Sequence, residues 1–413
     1  MKNRLHTLPL HLLLIQALLL AACLPSCSKP DDVGYTIPGR EITDVPEGGS
    51  TPSTPPAQED EGTLCKDIGQ TPIILAYYTE NSKALPDPTL VTHINYAHGR
   101  FVNPSTGDGG ITIADVSLMQ SVLALKKQNP ALKVMLMIGG WGMKADGFSM
   151  MARDPAKRTE FCKSIKAHLD KYGLDGVDID WEYPTYSAEG TGAHSSDTKN
   201  FNLVLDELRK TIGTSKIISF ASSSSAKYVD WPTAIKYIDY VNVMTYDMGA
   251  APSAHNSPLY RSQIFNQTSC DESIEKHKNA GIPYDRMNIG VPFYGKSEKN
   301  PTEKIYEYEV KYNEMGSILE KNYYEKGKRD VTGKNIRVWD PIAKVPYLTD
   351  TEGKILLVYD DPESVACKGE YVLKKKILGA MFWEYRHDDD KQSLLRSLVK
   401  AVYGQESVIK ENN

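Results

Sequence analysis

The sequence predicts an α/β fold: a closed (β/α)8 barrel with a small α+β insertion between its seventh and eighth strands. Short apolar, β-rich runs recur from Thr71 onwards, and helical periodicity fills most of the gaps between them. Apolar strands that alternate with amphipathic helices are typical of a parallel sheet covered by helices. Eight such units favour closure into a barrel over an open sheet.

Each predicted strand is a run of apolar, β-branched or aromatic residues, and several of them end in Gly, Asp or small residues. The first and fifth gaps between strands are short for a full helix. The predicted strands, in chain order, are Ile73–Thr79, His93–Gly99, Lys133–Gly140, Gly173–Glu182, Lys216–Ser222, Tyr237–Asp247, Met287–Tyr294 and Ile377–Trp383.

The helices between these strands are indicated by caps and by apolar stripes. Asp154 supplies an N-cap, Pro155 occupies the first helical position, and Gly173 ends the helix that they begin. Apolar residues recur at helical spacing in three of the gaps: Leu118, Val122 and Leu125; Phe161, Ile165, Leu169 and Tyr172; and Phe201, Leu205, Leu208 and Ile212.

The gap between Tyr294 and Ile377 is far too long for a loop or a single helix. Alternating apolar stretches such as Ile355–Tyr359 indicate strands within it, so we predict a small α+β domain. Because it leaves from the C-terminal end of a strand, it is expected to form a wall beside that face of the barrel. The predicted domains are the barrel at 71–296 and 373–405 and the insertion at 297–372.

The N-terminus has the pattern of an export signal over residues 1–22, with basic residues followed by the apolar run Leu8–Ala22. That run is too short and too interrupted to span a bilayer well. Leu20-Ala21-Ala22-Cys23 resembles the lipobox of bacterial lipoproteins, and cleavage before Cys27 is the alternative. Simple secretion after cleavage is a third reading.

The residues after this signal predict a tether. Residues 23–70 hold Pro, Ser, Thr and acidic residues with few aromatics, so they are predicted to be disordered. Ser28–Asp32 resembles the acidic export tags of Bacteroidetes-type lipoproteins. We therefore expect a protein that is exported and bound to the lipid bilayer of the cell envelope, at the outer membrane, through Cys23 or Cys27.

Composition excludes some partners. The formal charge of -5 comes from 48 basic and 53 acidic residues, with no long basic run, so nucleic acid is not an expected partner. Cysteines beyond the signal lack paired CxxC spacing, which argues against a zinc site. An exported protein can form disulfide bonds, and the sequence does not determine which of these cysteines would pair. No cofactor and no metal are predicted.

The most informative segment is the fourth predicted strand. Because side chains alternate along a strand, Asp178, Asp180 and Glu182 share one face, opposite the apolar Val177, Ile179 and Trp181. Inward carboxylates cannot all ionise at low dielectric, so they are expected to share protons. The outermost, Glu182, would then have a raised pKa and serve as a general acid. A divalent-cation site is the alternative reading of the acids.

The strand fits a known signature. Asp175–Glu182 matches the DxxDxDxE pattern of glycoside hydrolase family 18, and the chain resembles the chitinases of that family. The resemblance extends from about Pro72 to Leu398. Further segments that resemble the family are His93–Ala97, Lys133–Trp141, Val241–Asp247, Gly290–Gly295, Ala343–Tyr347, Tyr359–Ser364 and Gly379–Glu384.

The resemblance implies a retaining mechanism on β-1,4-linked N-acetylglucosamine, in which the substrate's own acetamido group is the nucleophile. We expect the enzyme, on its predicted TIM barrel, to be a monomer. Glu182 would be the general acid and base. Asp180 would orient the acetamido group, Asp178 would share its proton, and Tyr246 would bind the acetamido oxygen. Residues implied to contact substrate are Met244 and Asp247 in the same subsite, Trp383 as its floor, and Trp141 and Tyr77 as sugar-stacking rings.

Two departures from the family pattern are visible. Met137 stands where the family usually has a Ser that supports the innermost acid, so Asp178 is expected to be less hydrogen-bonded. Lys296 stands where an Arg is common, which removes a bidentate donor. The alternatives are an endo-β-N-acetylglucosaminidase acting on N-glycan cores and a non-catalytic glycan-binding barrel, whose relatives usually lack the acid that Glu182 provides.

Overall fold

The computed structural model describes residues 64–82, 84–187, 190–299, 309–319 and 336–409. Eight parallel strands form the barrel: β1 (Ile73–Thr79), β2 (His93–Phe101), β4 (Lys133–Gly140), β5 (Gly176–Trp181), β6 (Ile217–Ser223), β7 (Tyr240–Met244), β8 (Met287–Pro292) and β14 (Gly379–Trp383). The barrel closes because β1 pairs with both β2 and β14. The predicted (β/α)8 barrel is confirmed.

The barrel strands β5 and β7 end earlier in the structure than the sequence predicts. β5 ends at Trp181 and β7 at Met244, so Glu182, Tyr246 and Asp247 lie just beyond the strands that were predicted to contain them. This places all three at the C-terminal mouth of the barrel. The sequence also missed the short strand β3 (Ile111–Ile113), which pairs antiparallel with β2.

Helices fill most of the connections between barrel strands. They are α1 (Val116–Leu123), α2 (Phe148–Arg153), α3 (Pro155–Tyr172), α4 (Asp197–Ile212), α5 (Trp231–Ala234), α6 (Cys270–Asn279), α8 (Pro362–Lys375) and α9 (Ser393–Tyr403). The first gap contains no helix in its described residues, and the fifth contains only the short α5, as their lengths suggested. α3 begins and ends as predicted: Asp154 accepts from two backbone N–H groups, and Gly173 is left-handed at φ 72°.

A second sheet lies between β8 and β14. It contains β9 (Tyr294–Ser297), β10 (Glu309–Lys311), β11 (Ile336–Asp340), β12 (Val345–Thr349) and β13 (Ile355–Val358), in the antiparallel order β10-β9-β13-β12-β11. α7 (Tyr312–Leu319) follows β10. The sheet starts at Tyr294, before the start of the predicted insertion at residue 297. Most of α8 falls within the predicted insertion, but the helix packs on α9 and β8 in the helical layer of the barrel.

The apolar face of β5 is packed into the main core, as its alternation predicts. Val177, Ile179 and Trp181 are at most 2% exposed. Trp181 stacks on Phe148 of α2 with ring centroids 5.3 Å apart. The opposite, acidic face of β5 therefore points into the barrel.

β4 approaches β5 closely at this point. A Cβ atom on Gly139, whose φ is 104°, would lie 2.1 Å from the carbonyl oxygen of Asp180. Only glycine permits both that backbone conformation and that contact. Gly139 thus permits the close approach of β4 to β5 at the level of Asp180.

The N-terminal predictions lie outside the described residues, including Cys23, Cys27 and the tether up to residue 63. Within the part that is described, no helix combines the length and apolar character needed to cross a membrane. The four described cysteines (Cys65, Cys162, Cys270 and Cys367) are free thiols.

Candidate active site

The three acids of the β5 face form a buried column. The exposed fractions of Asp178, Asp180 and Glu182 rise from 0% through 4% to 9%, so the column climbs from the barrel interior towards the mouth. Oδ1 of Asp180 is buried with no hydrogen-bond partner among the described residues. A buried acceptor without a donor is costly, so this oxygen is placed where a substrate donor or a water would stabilise it.

Asp178 is well supplied with hydrogen bonds. Its Oδ2 accepts from the Tyr77 hydroxyl at 2.8 Å, and its Oδ1 accepts from Asn242 Nδ2 at 3.0 Å and from the Ser219 hydroxyl. The expectation that Met137 leaves Asp178 poorly hydrogen-bonded is therefore wrong. These donors come from β1, β6 and β7, because side chains of all three strands face the same interior.

The environment raises the pKa of every acid in the column. Burial raises the pKa of Asp178 to about 6, while its hydrogen bonds act in the opposite direction. Burial and the neighbouring Glu182 and Asp178 carboxyls raise the pKa of Asp180 well above its usual value. Burial raises the pKa of Glu182 to about 7, against a hydrogen bond with Tyr183. Near neutral pH the column therefore holds protons, as the alternation of the strand predicted.

Tyr246 and Asp247 lie beside this column, at the end of β7. Burial raises the pKa of Tyr246, and the nearby carboxyls of Asp180 and Glu182 raise it further. The Tyr246 hydroxyl therefore keeps its proton and is a hydrogen-bond donor at physiological pH. Asp247 accepts from the Tyr294 hydroxyl at 2.7 Å and pairs with Lys296 Nζ at 2.8 Å. Lys296, in place of the common arginine, also lies 3.7 Å from Glu309 of the second sheet.

These groups line a cleft of about 750 Å³ at the C-terminal mouth of the barrel. Its wall on one side comes from β9 and β10, through Tyr294, Lys296 and Glu309, so the insertion borders the site as predicted. The predicted site residues that line the cleft are Asp180, Glu182, Met244, Tyr246, Asp247, Trp141 and Trp383. Asp178 lies beneath them.

Tyr77 does not face the cleft. It is 1% exposed, its hydroxyl binds Asp178, and its ring lies 5.6 Å from that of Trp383. The prediction that Tyr77 stacks on a sugar is therefore wrong: β1 continues to Thr79, which leaves Tyr77 inside the barrel below the mouth. Trp141, in contrast, is 48% exposed at the rim.

Sequence reasoning missed an aromatic cluster at the rim. Tyr183 stacks on Tyr228 with centroids 4.9 Å apart, Tyr186 lies within 6.2 Å of both rings, and Trp141 meets Tyr183 edge-on. Loops carry these tyrosines, so no periodicity marks them. Ser219 and Asn242, also missed, had a usable signal, since both alternate with outward-facing apolar residues on their strands.

In the ranges that the structure covers, no group of three or more His, Cys, Asp or Glu side chains is arranged to hold a metal ion.

Comparison with known proteins identifies the family. The sequence model described as "Glycosyl hydrolases family 18" matches residues 73–388. The chain belongs to this family. It is 31% identical to chitinase A1 of Niallia circulans over 424 residues, a match that covers 84% of this chain but only 59% of the relative.

Solved structures of the family share the fold. A glycoside hydrolase family 18 N-acetylglucosaminidase from Paenibacillus barengoltzii has 27% identity and a TM-score of 0.67, over 80% of this chain and 99% of its own. The Ostrinia furnacalis group IV chitinase in complex with allosamidin has 26% identity and a TM-score of 0.68, over 81% and 100%.

Proposed function

We propose that this family 18 protein hydrolyses β-1,4 bonds between N-acetylglucosamine units of chitin or chitooligosaccharides, by a retaining, substrate-assisted mechanism. The observation that carries the proposal is Glu182, a carboxyl with a pKa of about 7 at the top of a buried acid column that opens into the cleft. The names of the relatives support the choice of substrate class.

In the first step Glu182 gives its proton to the glycosidic oxygen as the bond from that oxygen to the anomeric carbon breaks. The acetamido carbonyl oxygen of the same sugar forms a new bond to the anomeric carbon, which gives an oxazolinium ion and a free leaving-group hydroxyl. The Tyr246 hydroxyl donates to the acetamido oxygen and holds it in position for attack.

Asp180 accepts a hydrogen bond from the acetamido N–H and balances the positive charge of the oxazolinium ion. Oδ1 of Asp180, which has no hydrogen-bond partner among the described residues, is suited to that bond, and Asp178 shares the proton that Asp180 loses. In the second step ionised Glu182 takes a proton from water, whose oxygen attacks the anomeric carbon and restores the acetamido group. Trp383 forms the floor of the site and Trp141 its rim.

The test compares the wild-type protein with Glu182→Gln on a defined series of N-acetylglucosamine oligomers. We expect turnover by the wild type, and none by the variant, which still binds the oligomers. Unchanged turnover in the variant would refute the mechanism. Product lengths distinguish removal of single sugars from cleavage within the chain. Exclusive cleavage of N-glycan cores would favour an endo-β-N-acetylglucosaminidase.

We also propose that the protein is exported and anchored to the bacterial envelope through a lipid on Cys23 or Cys27. The residues Leu20–Cys23 and the polar stretch that follows support this proposal. Labelling with a clickable fatty acid is expected to mark the wild type and to fail in one of the variants Cys23→Ala and Cys27→Ala. Label that persists in the double variant would contradict the proposal.

A further inference from the structure

The backbone that carries Tyr246 lies beyond the end of its strand. Among the described residues, the ladder of β7 ends at Met244, so interstrand pairing does not hold Tyr246 or Asp247. Asp247 also has a left-handed φ of 57°, a conformation that is uncommon for residues with a Cβ and that Asp adopts more readily than most of them. Something other than the sheet must fix the position of the Tyr246 hydroxyl.

Two neighbouring residues of a buried loop supply that support. The Ser257 hydroxyl donates to the carbonyl oxygen of Thr245 at 2.5 Å, and the backbone N–H of Asp247 donates to Asn256 Oδ1 at 2.9 Å. Asn256 and Ser257 are each 1% exposed. Tyr246 is thus held through a hydrogen bond on the residue before it and another on the residue after it.

The orientation of the Ser257 hydroxyl is set by a buried ion pair outside the cleft. The side chains of Lys368 in α8 and of Asp360 are both 0% exposed, and they meet at 2.5 Å. Lys368 Nζ also lies 2.8 Å from Ser257 Oγ. An ammonium group can only donate, so Ser257 accepts from Lys368 and its single hydrogen is directed to Thr245.

We infer that Ser257, oriented by the Lys368–Asp360 ion pair, is a positioning residue for the Tyr246 hydroxyl in the reaction. This inference rests on the proposed function. A purely structural role, in which the pair only ties α8 to the barrel, would change stability without a specific effect on turnover.

The experiment is a double-mutant cycle of Ser257→Ala with Tyr246→Phe, measured by hydrolysis of an N-acetylglucosamine oligomer. We expect Ser257→Ala to lower kcat about tenfold or more and to change KM less than about threefold, since a misplaced group near the reacting atoms costs rate. In the Tyr246→Phe background, which lacks the hydroxyl, the same substitution should lower kcat less than about twofold further. Ser257→Thr, which restores a hydroxyl, should recover most of the rate.

Ser273→Ala is the matched control. Ser273 is also a buried serine that donates to a backbone carbonyl, at 2.8 Å to Ser269, but this carbonyl lies outside β7 and its mouth. We expect it to lower the midpoint of urea unfolding while leaving kcat unchanged. Lys368→Met, which keeps the Ser257 hydroxyl but removes its cationic donor, should lower kcat in the same direction as Ser257→Ala.

The outcomes separate this inference from the function it rests on. An inactive wild type overturns the proposed function. An active wild type whose kcat is unaffected by Ser257→Ala, or falls by the same factor in both Tyr246 backgrounds, overturns the positioning role alone.

Discussion

Replacing Glu182 with glutamine is expected to stabilise the protein above neutral pH, although it removes turnover. The pKa of Glu182 rises from the ordinary 4.5 to about 7 on folding, chiefly because the carboxyl is buried. Below pH 4.5 the carboxyl is protonated in both the folded and the unfolded chain, so its ionisation costs nothing. As the pH rises towards 7, the unfolded chain ionises first, and the folded state loses stability relative to it.

The magnitude follows from the pKa difference. At about 1.36 kcal/mol per pKa unit, a rise from 4.5 to about 7 corresponds to about 3 kcal/mol of stability lost above pH 7. Glutamine carries no charge at any pH and recovers that amount. An unfolding entropy of about 2.1 cal/mol/K per residue over about 340 residues converts the gain to about 4 °C in Tm.

The assay is thermal and urea unfolding of the wild type and Glu182→Gln between pH 4 and 9. We expect the two curves to converge at the acid end and to separate progressively as the pH rises to 8. Glu160→Gln, at an exposed position of α3, serves as the control and should follow the wild type throughout. A difference between Glu182→Gln and the wild type that is the same at pH 4.5 and pH 8 would refute the assignment of Glu182 as a buried group with a raised pKa.

Three further predictions concern activity and packing. As the pH rises through about 7, kcat/KM should fall because Glu182 loses the proton that it must donate; a plateau that persists to pH 9 in initial-rate measurements would exclude Glu182 as the acid. Tyr246→Phe should lower kcat by about 10- to 100-fold and change KM by less than about threefold, in steady-state kinetics on a defined oligomer, because its hydrogen bond strengthens in the transition state; a rise in KM alone would contradict this. Trp181→Ala, at a 2% exposed core position, should lower the free energy of urea unfolding by about 3–5 kcal/mol. Trp141→Ala, at a 48% exposed position, should change that free energy by less than about 1 kcal/mol and raise KM. Equal destabilisation by the two substitutions would contradict the packing.

The sequence by itself determined the barrel and the acid column, because both depend on local patterns. Alternation along β5 assigns Asp178, Asp180 and Glu182 to one face whatever surrounds them, and apolar strands spaced by helical stripes require a covered parallel sheet. Placing acids inside a closed barrel is sufficient to predict raised pKa values, since burial is their largest cause.

The tertiary structure alone decided what surrounds that column. Three strands bring hydrogen-bond donors to Asp178, through Ser219, Asn242 and Tyr77. The stagger of the closed barrel sets the depth of each of these side chains, and no local sequence pattern encodes that stagger. The same closure buries Tyr77 below the cleft and brings Lys368 to Ser257. Periodicity assigns a residue to a face, whereas contacts between distant segments depend on how the whole chain packs.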